Sequence, residues 1–144
     1  MAKRQFLTLI IAFGVCILFF VMNGYESAER PIHKKIILSQ KETVIDETQF
    51  VFKPMIEQSG ELRTLKILCE ITSYMNPEVL KLNYEAQTMI EINEEFILPK
   101  SWKVMDQTNY KVIGQLIFDI KNDVSLSQFI LRIFTFSDHE VIWN

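Results

Sequence analysis

Leu65-Lys66-Ile67-Leu68-Cys69-Glu70-Ile71-Thr72 decides the fold class. Leu65, Ile67, Cys69 and Ile71 alternate with Lys66, Glu70 and Thr72, and only Leu68 breaks the pattern. A period of two predicts a strand with one face buried, because successive side chains point to opposite faces. Cys69 falls on the buried face and is expected to act as a small hydrophobe.

Outward from this segment the same pattern recurs. Leu116, Phe118 and Ile120 alternate with Gln115 and Asp119, and Phe129 to Phe136 is apolar on both faces apart from Arg132, as a central strand would be. Shorter strands are predicted at Lys35 to Leu38, Thr48 to Lys53, Thr88 to Ile92, Phe96 to Leu98 and Glu140 to Trp143. Ser59-Gly60, Asn76-Pro77, Asn93-Glu94, Asn122-Asp123 and Ser137-Asp138 separate them as turns. Pro77 to Asn83 is the one helical candidate, at most two turns long and so a connector between sheets. About 7-8 short strands in one chain of 144 residues predict an all-β fold, an antiparallel sandwich or small barrel, with Leu65, Ile67, Ile71, Leu116, Phe118 and Ile133 in its core.

The N-terminal residues carry the expectation of location. Lys3 and Arg4 precede seventeen uncharged residues, Phe6 to Met22, which as a helix would span roughly 25 Å, just short of a hydrocarbon core. A cleaved signal peptide and an uncleaved anchor compete. The run is long for a signal peptide, and Glu26 before Ala28, or Met22 before Gly24, makes a poor cleavage site. A single-pass anchor is favoured, with the body outside the cytoplasm, or secreted if the segment is cleaved. Lipid attachment at Cys16 is disfavoured because Val15 stands where a small residue is wanted. The predicted organisation is thus residues 1-24 as signal anchor or signal peptide, 25-34 as a stalk, and 35-144 as the β-domain.

Setting aside Lys3 and Arg4 leaves 13 of the 15 basic residues against 18 acidic ones, a net −5 where the whole chain carries −3. That balance argues against a nucleic-acid surface, which needs clustered Lys and Arg. Four glycines are too few for a phosphate-cradling loop. His139, expected in a hairpin turn beside Asp138 and Glu140, has only His33 as a second imidazole, so no metal site is expected. The acidic clusters Glu42, Asp46, Glu47 and Glu91, Glu94, Glu95 lack the glycine of a calcium loop. No serine stands in a strand-turn-helix elbow. These residues predict no catalytic group, metal or cofactor, and a protein that is not an enzyme.

Phe96 to Trp102 with Pro99, then Gly114-Gln115-Leu116-Ile117-Phe118, then Phe129 to Ile133 and Val141-Ile142-Trp143 occur in a telling order. From Leu65 to Asn144 the chain resembles the small immunoglobulin-like β-sandwich domains of unknown function found in bacterial envelope proteins. That resemblance implies an immunoglobulin-like sandwich. Members carry a histidine at the end of the first core strand and a histidine pair before the glycine. Thr72 and Tyr110-Lys111 hold those places here, so no histidine role carries over.

Both tryptophans are expected to plug the core. Trp102 is the better candidate for a partner contact, because Lys100, Ser101 and Lys103 put it on a polar connection after Pro99. Trp102, Lys100 and Lys103 are therefore the candidate contact residues. Three functions follow as expectations: an interaction or assembly module binding an envelope protein or itself, a carrier of an apolar ligand or lipid, and a prepilin-like subunit. The carrier wants long paired strands. The prepilin reading wants a glutamate early in the apolar run, which has none.

Overall fold

The structure, a computed structural model, describes residues 33–135 and 137–144. The anchor, its orientation, Cys16 and most of the stalk lie outside the described residues. Among those residues no helix is long and apolar enough to cross a membrane.

Ten strands form two antiparallel sheets: β1 (His33–Ile37), β2 (Lys41–Ile45), β3 (Thr48–Ser59), β4 (Leu62–Ser73), β5 (Thr88–Ile92), β6 (Glu95–Ile97), β7 (Ser101–Gln107), β8 (Lys111–Ile120), β9 (Phe129–Phe134) and β10 (Asp138–Trp143). The larger sheet runs β1-β3-β4-β8-β7, with β2 also paired to β3, and the smaller runs β10-β9-β5-β6. The described residues are all-β, and one core joins the inner faces of both sheets in a sandwich-like arrangement. Leu65, Ile67, Ile71, Leu116, Phe118 and Ile133 are all buried in that core, as the alternation predicts. Phe129 and Trp143 stack there with centroids 4.7 Å apart, and Trp143 Nε1 donates to the Ser39 carbonyl at 2.7 Å. Trp143 is thus a core plug with its one polar atom satisfied.

Several expectations need correction. The sequence pattern does not show β2 or β7, so the described residues hold ten strands rather than seven or eight. β1 starts at His33, two residues ahead of the strand predicted from Lys35. His139 lies inside β10 and not in the turn, paired to Ile133, with Nε2 2.7 Å from Ser137 Oγ. The helical candidate is a single 3₁₀ segment, Pro77–Lys81, which does connect the sheets and buries Val79 and Leu80.

The strand predicted to stop at Lys53 runs through Pro54 to Ser59. Proline interrupts an inner strand because it cannot donate to a ladder. Here the Pro54 carbonyl accepts from Leu38 N–H at 3.1 Å, so its side without a donor faces the edge, where β1 gives way to β2. The edge strand is broken at the position where β3 has no N–H to offer. β3 and β4 consequently pair over twelve residues, roughly 40 Å, which removes the short-strand argument against a ligand-holding barrel. The space between the sheets is instead filled by side chains, among them Phe50, Phe118 and Phe129.

The turns explain the acidic clusters. Asp46 and Glu47 (φ 45° and 62°) join β2 to β3, and Asn93 and Glu94 (φ 50° and 66°) join β5 to β6. Two consecutive left-handed residues are the type I′ geometry that matches strand twist. The carboxylates of Asp46, Glu47 and Glu94 belong to exposed hairpin tips.

Candidate interaction site

β7 is the edge of the larger sheet, paired on one side to β8 and, among the described residues, carrying no strand on the other. It holds two of the three contact candidates. Trp102 is therefore on an edge strand, which corrects the expectation of a polar connection. Its register partner is Leu116, a core residue, so the indole lies on the inner face. There it covers Gly114, where an added Cβ would stand 2.2 Å from Trp102 Cη2. The Tyr84 ring packs at 5.2 Å, and Tyr84 Oη donates to the Val79 carbonyl at 3.0 Å. Burial raises the Tyr84 hydroxyl pKa, so it stays a neutral donor. Trp102 ends half-buried, packed against the core at its open margin.

Lys103, opposite Gln115, points to the outer face, away from Trp102. Lys100 precedes β7, and its Nζ meets Asp119 Oδ2 at 2.8 Å with both groups well exposed. The three residues therefore share a segment but do not share a face.

Other features of β7 have no counterpart in the sequence reading. The register shifts between Val104 and Asp106, so Met105 is an extra residue that bulges out of the ladder. Val104 and Met105 are 46% and 61% exposed, which places two apolar side chains on an open backbone edge. The shift explains why alternation could not reveal the strand: Trp102 and Val104 follow the period, and Met105 then breaks it. Trp102 N–H, at the free edge, has only the Glu85 carboxylate at 3.4 Å.

Two further exposed groupings lie elsewhere. On the outer face of the smaller sheet, Met89, Phe96, Arg132 and Phe134 line a shallow depression. Arg132 is held there by Glu91 (Nη2 to Oε2, 2.6 Å) and by Glu140, 5.8 Å from the Phe96 ring centre. The hydrogen bonds to Glu91, with the charges of both carboxylates, keep the guanidinium protonated. At the end of β4, exposed Tyr74 and Tyr110 stack with centroids 5.4 Å apart. Cys69 is buried with its thiol pKa pushed up by desolvation, consistent with a small core residue. Among the described residues no three His, Cys, Asp or Glu side chains form a metal-binding group.

Among the described residues, fold and site together define an antiparallel two-sheet arrangement whose longest open edge is β7. Comparison with protein-family models, curated proteins and solved structures finds no match for the chain.

Proposed function

We propose that this chain is a non-enzymatic interaction module: a β-sandwich domain carried outside the cytoplasm by Phe6 to Met22 that binds a protein of the cell envelope along the β7 edge. The observation that carries this reading is the edge itself. Seven residues of strand run without a second neighbour among the described residues, with Val104 and Met105 exposed along that side. Such an edge is a template for a further strand: main-chain hydrogen bonds supply affinity and alternate side chains supply selectivity. Lys103 and the Met105 bulge limit indiscriminate pairing, which favours one register over many.

The immunoglobulin-like character remains part of the proposal. It is supported by the way the residues carrying the resemblance meet, Trp102 over Gly114 and Trp143 on Phe129. Trp102 then acts by holding β7 flat against β8, and Lys103 by facing the partner.

A photo-crosslinking amino acid at Val104, in the full-length chain expressed in its own host, tests this reading. Crosslinks to one defined protein from Val104, and none from Glu61 at the β3–β4 turn, are expected. Equal labelling from both positions, or none from Val104, would overturn it.

A further inference from the structure

In β7, Lys103 and Asp106 stand three residues apart yet face the same side of the sheet. Along a regular strand, residues three apart point to opposite faces. The bulge at Met105 changes this, because Lys103 is set opposite Gln115 and Asp106 opposite Ile113, both on the outer face of β8. Neither Lys103 nor Asp106 has an ion-pair partner among the described residues.

We infer that the occupant of the β7 edge is β7 of a second copy of this chain, running antiparallel. This rests on the interaction reading above and names its partner. The register that sets Lys103 against Asp106 of the second copy also sets Asp106 against Lys103 of the second copy, because a two-fold axis makes the contact self-complementary. Both ion pairs then lie on one face. An unbulged strand could not place them so, since its opposed residues in that register would face opposite sides. The same register brings Val104 against Met105 of the second copy, covering the two exposed apolar side chains. It also brings Trp102 against Gln107, both of which pair with inward-facing residues of β8, Leu116 and Val112. The two larger sheets become one continuous sheet across the axis.

The charges make the inference testable by exchange. The full-length chain, in detergent micelles at low salt, is followed by sedimentation over a concentration series as wild type, Lys103→Glu, Asp106→Lys and the double exchange. Wild type is expected to self-associate. Each single reversal places like charges opposite each other twice and should weaken association by about tenfold or more. The double exchange should restore it to within about threefold, with thermal stability unchanged in all four. A monomeric wild type, single reversals without effect, or no recovery in the double exchange would each overturn the pairing. The Val104 crosslink separates this failure from that of the broader reading. A crosslink to a different protein from a monomeric chain sinks the pairing alone, while a silent Val104 in a monomeric chain sinks both.

Discussion

Gly114 has no room for a methyl group, because the indole of Trp102 lies where its Cβ would go. Glycine weakens a strand, and an aromatic ring from the neighbouring strand can cover the gap it leaves. Gly114→Ala should therefore cost about 1–3 kcal/mol in urea unfolding, by displacing the ring. In a Trp102→Ala background the same change should be nearly neutral, and an equal cost in both backgrounds would separate the two residues. Phe118, fully buried toward the end of β8, is the residue whose loss should cost most. Phe118→Ala should lower stability by about 3–5 kcal/mol, read from the same melts. Glu70 on the outer face answers to pH. Its carboxylate accepts from Lys53 and from Lys111 (3.0 Å), and those bonds, with both positive charges, hold its pKa below the usual glutamate range. A group with a depressed folded pKa contributes stability that is complete above the unfolded value and is lost as pH falls through the folded one. Glu70→Gln should consequently flatten the acid limb of the stability profile below about pH 4.5. An acid limb identical to wild type would remove Glu70 from that account.

At the scale of elements, the two type I′ turns each carry a glutamate at a second position poorly suited to it. Glu94 at φ 66° and Glu47 at φ 62° hold left-handed backbone that glycine adopts without a Cβ penalty. Glu94→Gly would create Asn-Gly, the preferred I′ pair, and should stabilise by about 1 kcal/mol, raising Tm by roughly 4 °C. A lower Tm would mean that the Glu94 side chain makes a contact worth more than the strain. The same turns show what was legible in the sequence. β4 and β8 stand out by alternation, which from Leu65 to Thr72 only Leu68 breaks, because one face must be apolar to join the core. β2 does not, because Lys41, Glu42 and Thr43 lie on an edge that needs little burial and its turn lacks the usual glycine. β3 was cut short at Pro54, since the residue pattern cannot show that a neighbouring strand breaks at the same place. The candidate site was half legible. Trp102 and Lys103 fall on β7 and Lys100 just before it, but that this segment is an edge strand with Trp102 and Lys103 on opposite faces shows only in its register with β8.

For the whole molecule, the distribution of open edges matters more than any single side chain. β6 has only three residues. β10 ends with Trp143 bonded to the Ser39 carbonyl beside β2, and Ser137 at its start donates to Asp46 Oδ2 at 3.0 Å. The β1–β2 edge is broken where it passes Pro54. β7 is left as the longest open edge, bounded by a bulge and bearing opposite charges on one face. A second copy of the chain, pairing along this edge, makes β7 the working surface of the protein. Hydrogen exchange of the full-length chain, measured by mass spectrometry at high and low protein concentration, tests it most directly. Slow exchange is expected in β4 and β8 under both conditions, with added protection at high concentration confined to the peptide covering 101–107. Protection that rises on the smaller sheet instead, or a β7 peptide whose exchange does not change with concentration, would contradict it.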